Sequence, residues 1–278
     1  MNLPRMWKVL RPGWLIPVFF LCQPEAPGQI SGEECGVMAL GGTYVTRQGA
    51  CMAMHNQAGL GDMTNRSLSI QHARPFLIGD LGVSSLSFQW GVLHGALGAT
   101  LSHAGIRGYS QTSAWFAYGI SMTEQWTAGV GLHFWNQSIG ENWFRHPGFS
   151  FAAGVRWQIH DRIRWGIHVA HPVGWASGLP GKYGLPMTIA SGVCLLPGQG
   201  ISLYLEVVSV TGHALQWRSG LEWELNQQIL LQFGCQPAPL TISGGFSCQH
   251  HRWILQIAFA YGPENGNSPA TGLTYAWE

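Results

Sequence analysis

The chain has 278 residues, a formal net charge of +1 and only 10% charged residues, against 46% hydrophobic residues, 38 glycines and 14 tryptophans. The hydrophobic content excludes a disordered chain, and 14 basic residues balanced by 13 acidic ones leave no electrostatic footprint for nucleic acid. After the N-terminal region no run of about 18 uninterrupted apolar residues follows, which argues against a helical membrane protein. A β-rich chain with so few charges is typical of a transmembrane β-barrel.

Residues 1–28 are predicted to form a signal peptide. A basic stretch precedes the apolar run 14–21, and the small residues Ala26 and Gly28 follow at the spacing that a signal peptidase accepts. Lipidation at Cys22 is the alternative, which the bulky residues before it disfavour. Export together with a barrel predicts the outer membrane of a Gram-negative type cell, with membrane lipid as the surrounding partner.

Residues 29–66 are predicted to lie apart from the membrane strands. Several glycines and other small residues interrupt any alternation of polar and apolar side chains in this segment. Gly41, Gly42 and Gly59 allow tight backbone turns and a close approach to a barrel wall. Asn56 is a good turn residue whose side chain bonds backbone groups. A passive arm packed into the lumen and a gated plug both fit this pattern.

Five cysteines remain after the predicted signal peptide, an odd number without a CxxC pair or a zinc spacing. Free thiols that are buried or face lipid are expected, and a disulfide between Cys35 and Cys51 is the alternative. The remaining cysteines are Cys194, Cys235 and Cys248.

From residue 67 to residue 278 the sequence alternates between apolar and small or polar residues, which is the pattern of β-strands. The stretch 149–159, for example, is mostly apolar at odd positions and small or polar at even ones. We count about 14 such segments in an up-and-down antiparallel barrel, with about 12 as the alternative. Their predicted centres are Ile70, Leu86, Ala99, Tyr118, Val130, Gly154, Ile167, Ala190, Leu205, Leu221, Phe233, Gly245, Ile257 and Tyr275.

Short and longer connections alternate between these segments, as in outer-membrane barrels with tight periplasmic turns and longer extracellular loops. Short turns are predicted at 91–95, 123–125, 160–162, 197–200, 226–228 and 249–252. Longer loops are predicted at 75–80, 105–111, 136–148, 172–186, 211–214, 236–239 and 262–271. The last segment carries outward aromatic residues close to the terminal Glu278.

Residues 39–60 read ALGGTYVTRQGACMAMHNQAGL. This stretch resembles the N-terminal plug of FadL-like outer-membrane proteins, particularly of the PorV/PorQ-type branch, and differs from that pattern at Arg47, Gln48 and Gln57. The resemblance implies a fourteen-stranded barrel closed by the plug. The positions that carry the plug prediction are Gly41, Gly42, Tyr44, Asn56, Gly59 and Leu60.

Members of that family take up hydrophobic compounds or serve type IX secretion as a shuttle or an attachment-complex subunit. The resemblance therefore implies transport of a small hydrophobic molecule or a role in type IX-like secretion, with a small hydrophobic ligand or secretion-machinery proteins as partners. A non-conducting structural or assembly subunit of an outer-membrane complex is the alternative, and a barrel enzyme is a less favoured one.

The inward positions of the predicted barrel carry few charged or aromatic side chains. A basic wall opposite an acidic wall would steer a polar solute, whereas buried charges that pair with one another or with the plug would only fill the lumen. The second interpretation is favoured for these charges, and packing is favoured for Trp115 and Trp135. The predicted lumen residues are Trp115, His133, Arg156, Arg164, His168, Glu206, Arg218, Glu222 and Glu224.

The sequence contains no motif that indicates catalysis, a metal or a cofactor. It lacks a G-x-S-x-G elbow, an HExxH helix, a P-loop and a dinucleotide fingerprint. His160 and the pair His250–His251 fall in predicted turns without a third ligand at a set spacing. Ser102 and His103 are adjacent, so their side chains point to opposite faces of a strand. We therefore predict no enzyme activity.

Many of the tryptophans stand beside predicted short turns, where aromatic residues anchor a barrel at the membrane interface. This predicted periplasmic girdle consists of Trp90, Trp126, Trp157, Trp165, Trp223 and Trp253.

Overall fold

The computed structural model describes residues 34–78, 81–106, 109–139, 144–176, 185–264 and 266–277. The predicted signal peptide, the start of the plug segment and the terminal Glu278 lie outside these residues.

The chain forms a closed antiparallel barrel in which each strand pairs with its sequence neighbours, and β1 pairs with β14 to close the ring. The predicted number of strands is confirmed, and every predicted centre lies within a strand, so the alternative with fewer strands is wrong. The strands are β1 (Arg66–Ala73), β2 (Val83–Val92), β3 (Gly95–Ile106), β4 (Tyr109–Ser121), β5 (Trp126–Ile139), β6 (Phe144–His160), β7 (Ile163–Ala176), β8 (Thr188–Gly198), β9 (Ile201–Val210), β10 (Gln216–Asn226), β11 (Ile229–Pro237), β12 (Leu240–His250), β13 (Trp253–Gly262) and β14 (Gly266–Trp277).

The segment before β1 lies inside the barrel and is called the plug below (residues 34–65). It contains the short helix α1 (Cys35–Ala39) and two 3-10 helices at Ala50–Ala53 and Gln57–Leu60. Its short helices are buried throughout, and they contact strands on several sides of the wall. A third 3-10 helix, Pro75–Leu77, lies outside the plug between β1 and β2.

Strand alternation separates a buried inner face from an apolar outer face. On β4, for example, Trp115 is 7% exposed and the next residue, Phe116, is 51% exposed. Aliphatic and aromatic side chains cover the outside, whereas the inside carries small and polar residues packed against the plug. The hydrophobic core therefore lies between the plug and the wall. Within the described ranges, no helix is long and apolar enough to cross a bilayer.

The tryptophans of the predicted girdle lie near the turn ends of their strands. Trp126 and Trp157 stack with ring centroids 4.9 Å apart, and Trp253 lies 4.7 Å from the ring of Tyr275. The guanidinium of Arg66 lies 4.3 Å from the ring centroid of Trp90.

Several of the predicted longer loops are shorter than the sequence pattern indicates. β12 begins at Leu240, directly after the two residues that follow Pro237, and β7 continues to Ala176. Likewise β5 reaches Ile139 and β6 begins at Phe144. Backbone hydrogen bonds continue the ladder beyond the point where the side chains stop alternating, because pairing does not require an apolar face.

Three prolines account for part of this difference between the predicted and the observed loop lengths. Pro147, Pro172 and Pro269 were all assigned to loops, yet they lie within β6, β7 and β14. Proline removes one donor from a ladder but keeps its carbonyl acceptor. The Pro269 carbonyl accepts a hydrogen bond from the Arg74 N–H at 2.9 Å.

Candidate functional site

The plug sits close to the wall because glycines line the wall where its backbone passes. A Cβ added to Gly119 would lie 2.5 Å from the Gln57 carbonyl oxygen, and a Cβ on Gly129 or Gly234 would overlap plug backbone atoms. Gly234 faces the peptide that joins Leu40 to Gly41. Side chains at these wall positions would displace the plug, so the glycines are required by packing.

The Gly41–Gly42 turn follows α1 and is fixed to the wall by Ser243. Both glycines adopt positive φ angles, 67° and 82°, which glycine tolerates without strain. The Ser243 hydroxyl accepts a hydrogen bond from the Gly41 N–H at 2.9 Å and donates one to the Ala39 carbonyl at 3.1 Å. This contact holds the first turn of the plug against β12.

Asn56 organises the second half of the plug. Its buried side chain accepts a hydrogen bond from the Ala58 N–H at 3.2 Å and donates one to the Val45 carbonyl at 2.6 Å. A Cβ on Gly59 would lie 2.5 Å from the Arg47 carbonyl oxygen, and Leu60 is fully buried. The predicted plug residues therefore maintain the plug's own fold.

A polar group on β9, β10 and β12 holds the plug and is called the anchor wall (Glu206, Arg218, Glu222 and Ser243). The buried Glu206 carboxylate oxygen Oε1 accepts hydrogen bonds from the N–H groups of Tyr44 at 2.8 Å and Val45 at 2.6 Å. Arg218 donates to the Gly42 carbonyl at 2.8 Å. Hydrogen bonds to charged groups are stronger than neutral ones, so these contacts fix the centre of the plug.

Glu222 of the anchor wall contacts the plug at Arg47, further along the chain than Tyr44 and Val45. Its carboxylate lies 3.9 Å from Arg47 Nη2 and accepts hydrogen bonds from Gln232 at 2.8 Å and Tyr204 at 3.3 Å. Burial lowers the pKa of Arg47, but the nearby Glu34 and Glu222 carboxylates raise the pKa more, and the net shift is upward. Arg47 therefore stays charged inside the barrel.

Two further predicted lumen arginines also contact the plug. Arg156 pairs with Asp62 at 2.9 Å, and Arg164 donates to the Thr46 carbonyl at 3.3 Å. Glu224, by contrast, is exposed near the end of β10. The geometry favours charges that pair with the plug over two opposed charged walls.

On β4 to β7 the inner face is aromatic instead, and four rings there are called the ring cluster (Trp115, His133, Trp135 and His171). Trp115 and His133 stand opposite each other on β4 and β5 and stack at 4.0 Å with an interplanar angle of 5°. The ring centroids of His171 and His133 lie 5.3 Å apart, and those of Trp135 and His133 lie 5.2 Å apart. The cluster combines flat apolar surfaces with imidazole nitrogens.

The side chains around the ring cluster include apolar groups from the wall and the plug. Ala152 and Ala170 pack with Trp115, and Met54 of the plug contacts the same group. The remaining predicted lumen histidine, His168, lies beside the plug, where its Nδ1 is 3.3 Å from the Tyr44 hydroxyl.

Tyr44 also contacts His55 of the plug, with ring centroids 5.2 Å apart. Burial, the His168 imidazole and the guanidinium groups of Arg47 and Arg218 lower the pKa of His55 to about 3. His55 is therefore neutral at ordinary pH. The phenol ring of Tyr44 contacts both His55 of the plug and His168 of the wall.

The β6–β7 ladder is interrupted beside the ring cluster. Ala152 pairs with Ala170 but Ser150 pairs with Gly174, so β7 holds two more residues than β6 across this interval. The residue that follows Ala170, His171, has a positive φ of 56° and turns inward, where its Nδ1 lies 3.0 Å from the Ser150 hydroxyl. This irregularity is a β-bulge, which re-aims a side chain and locally breaks the pairing.

An apolar groove lies on the outer face of the same strands and is called the outer groove. Its volume is about 590 Å³, and Pro172 of the bulge lines it together with Phe151 and Leu132. A second depression of about 380 Å³ continues it, sharing Tyr118 and Val130. One layer of wall therefore separates the outer groove from the ring cluster.

Sequence reasoning missed several residues of this region. Strict alternation along β7 would place His171 outside, and no pattern indicated the roles of Ser150, Ser243 or His55. The signal that was available is Pro172, because proline within a strand often marks a bulge.

The five cysteines of the described part are all free, so no disulfide joins Cys35 to Cys51. The Gln71 side chain lies between them, where its Oε1 accepts from the Cys35 N–H at 2.8 Å and its Nε2 is 3.1 Å from Cys51 Sγ. Within the described residues, no group of three or more potential ligands is placed to hold a metal ion.

Comparison of the sequence with protein-family profiles and with curated proteins gives no match. The fold, in contrast, resembles solved structures. The Ralstonia pickettii toluene transporter TbuX matches with a TM-score of 0.71 at 11% identity, over 89% of this chain and 99% of TbuX. The Pseudomonas putida toluene transporter TodX matches with a TM-score of 0.69 at 10% identity, over 89% of this chain and 98% of TodX.

A FadL homologue from Pseudomonas aeruginosa matches with a TM-score of 0.58 at 9% identity, over 89% of this chain and 97% of the homologue. At such identities the likeness concerns the fold. The chain therefore shares the barrel fold of the two toluene transporters and of the FadL homologue.

Proposed function

We propose that this protein is an outer-membrane β-barrel that carries a small hydrophobic molecule across the outer membrane of a Gram-negative type cell. The apolar outer surface suits a lipid environment. The structural relatives include two toluene transporters, which supports transport as the function of this chain.

The observation that carries the proposal is the interrupted β6–β7 ladder. On its inner side lies the ring cluster, and on its outer side lies the outer groove. The plug fills the lumen next to the ring cluster, since Met54 packs against the cluster. A molecule that reaches the ring cluster would pass sideways through the bulge rather than straight through the plug.

The chemistry of this route suits an apolar molecule. The outer groove is lined by aromatic and aliphatic side chains, and its volume of about 590 Å³ lies within the range of small-ligand pockets. The charged side chains of the anchor wall are held by the plug and do not line this route. A hydrophobic solute would avoid the desolvation cost that a charged one would suffer there.

The test compares uptake of radiolabelled toluene by cells that contain the protein with uptake by cells that lack it. Deletion of Pro172 and Val173 restores equal numbers of residues on β6 and β7 and so closes the bulge. We expect about a fivefold or greater loss of the protein-dependent uptake, measured at equal amounts of folded barrel. Unchanged uptake in the deletion variant would contradict the sideways route.

The matched control is Val173→Ala, at an exposed bulge position that does not line the outer groove, which keeps the extra residues of β7. This variant is expected to retain toluene uptake, because the opening depends on the missing backbone pairing. Absence of any protein-dependent uptake in the unaltered protein would overturn the transport proposal itself.

A role in type IX-like secretion, and membership of the PorV/PorQ-type branch, remain predictions from the resemblance of residues 39–60. A non-conducting assembly subunit likewise remains an alternative. Conductance across planar bilayers, compared before and after removal of residues 34–61, separates a plugged channel from a barrel whose lumen never conducts.

A further inference from the structure

The His133 side chain lies in the ring cluster without a hydrogen bond to any described residue. The residue is 1% exposed, and neither Nδ1 nor Nε2 has a hydrogen-bond partner among the described residues. A buried polar group without a partner destabilises the folded state. Both imidazole nitrogens of His133 lack a hydrogen-bond partner among the described residues, and the ring is held in place by stacking on Trp115.

The other imidazole of the cluster already has a hydrogen-bond partner. His171 is directed by its 3.0 Å contact with the Ser150 hydroxyl, which leaves His133 as the imidazole of the cluster with both nitrogens free to bond a guest. Trp115 stacks on His133 with ring centroids 4.0 Å apart, and the Trp135 ring lies 5.2 Å from His133 at an interplanar angle of 36°. The cluster therefore presents aromatic surface together with one hydrogen-bonding ring.

The surroundings select a neutral guest over a charged one. The apolar groups that pack against Trp115, alanines of the wall and Met54, offer no opposite charge to a carboxylate or an ammonium. A neutral imidazole offers one donor nitrogen and one acceptor nitrogen. A hydroxyl group, which both donates and accepts, complements either one.

We propose that the ring cluster binds a small neutral aromatic molecule that carries a hydroxyl group, a phenol, with its hydroxyl on His133 and its ring against the tryptophans. This inference rests on the proposed transport function, since it names the substrate class. It differs from transport of a plain hydrocarbon, which would leave both nitrogens of His133 without a partner.

The test compares phenol with toluene, which has a methyl group in place of the hydroxyl and otherwise the same ring. Binding to the purified full-length protein in detergent is measured by isothermal titration calorimetry. We expect phenol to bind about tenfold more tightly than toluene, which corresponds to one buried hydrogen bond. Equal or tighter binding of toluene, or no binding of phenol, would overturn the proposal.

His133→Phe keeps a flat ring against Trp115 and removes both nitrogens. We expect this variant to lose the preference for phenol while toluene binding stays within about twofold. The matched control is His103→Phe, at an exposed position on β3, which is expected to keep the preference. A phenol preference that survives in His133→Phe would show that another group recognises the hydroxyl and would refute the assignment.

Failure of this inference and failure of the proposed function give different results. Binding in detergent does not require transport, so phenol binding without uptake by cells contradicts transport alone. Toluene uptake without any phenol preference contradicts the phenol site alone.

Discussion

The anchor wall and the ring cluster line the same lumen but use their polar atoms in opposite ways. In the anchor wall, Glu206 accepts two backbone hydrogen bonds from the plug and Arg218 donates one to it. In the ring cluster, neither nitrogen of His133 bonds to any described residue. The anchor wall therefore bonds the plug through Glu206 Oε1 and Arg218 Nη1, although Glu206 Oε2 and Arg218 Nε lack a partner among the described residues, whereas both imidazole nitrogens of His133 are unbonded.

This difference separates a structural role from a binding role. Each hydrogen bond to a charged group contributes about 1.5–3 kcal/mol to stability, whereas an unpaired buried polar group costs about 1–3 kcal/mol. The anchor wall thus stabilises the closed barrel. The unpartnered nitrogens of His133 cost stability, which is the behaviour expected of a site that a ligand completes.

The largest expected effect is the loss of Glu206. Glu206→Ala leaves the N–H groups of Tyr44 and Val45 buried without an acceptor. We expect the free energy of unfolding in lipid vesicles to fall by about 3–5 kcal/mol. Denaturant titration of the folded protein measures it, and protease cleavage within the plug should increase.

Glu206→Gln serves as the control for this prediction. The amide oxygen still accepts a hydrogen bond from the plug, so the loss should be clearly smaller than for alanine. Equal losses for both variants would mean that the charge, rather than the acceptor oxygen, holds the plug.

The second effect tests whether the plug needs the space that the wall leaves for it. Gly234→Ala places a methyl group against the backbone of Leu40 and Gly41, so the plug must shift. We expect a loss of about 2 kcal/mol, together with a higher single-channel conductance. Gly244→Ala is the matched control on the adjacent strand, because the nearest atom to its added Cβ is 3.5 Å away. Equal losses of stability and equal conductance in Gly234→Ala and Gly244→Ala would contradict a close contact between the plug and the wall.

The sequence predicted the barrel well because strand alternation is a local property. A residue's inward or outward direction follows from the parity of its position, which predicts an inward direction for Arg156, Arg164 and Glu206. Arg156 and Glu206 are buried, and Arg164 donates a hydrogen bond to the plug. The closed fourteen-stranded ring followed from the same periodicity and from the short turns.

The sequence did not predict which inward groups would meet. The contact of Glu206 with Tyr44 joins residues 162 positions apart, and its geometry depends on how deep the plug sits. Loop lengths were overestimated because prolines such as Pro269 were assigned to loops although the ladder tolerates them.

The ring cluster was only half predicted for a related reason. Trp115, Trp135 and His133 follow the parity of their strands, but His171 enters the lumen only because a bulge of two extra residues interrupts the alternation of β7 locally. The alternation resumes beyond the bulge, where Gly174 pairs with Ser150, and alternation alone contains no information about where such a bulge occurs.

A smaller effect is expected at the rim of the plug, where the ion pair between Asp62 and Arg156 is partly open to solvent. The Asp62 side chain is 36% exposed, against 4% for Arg156. Asp62→Asn keeps an oxygen for the arginine, so we expect a loss of about 1 kcal/mol or less in the free energy of unfolding. Glu124→Gln, in an exposed turn, is the control and should cause no measurable change. A loss as large as that of Glu206→Ala would mean that the anchor wall does not dominate plug binding.

The smallest expected effect has the opposite sign and tests the comparison most directly. His133→Phe replaces an unpaired buried imidazole with an apolar ring of similar shape, so it removes a polar group that the protein itself does not satisfy. We expect the free energy of unfolding in vesicles without ligand to stay equal or to rise by up to about 1 kcal/mol. A clear loss of stability would show that His133 is bonded within the folded protein, and the ring cluster would then be structural in the same sense as the anchor wall.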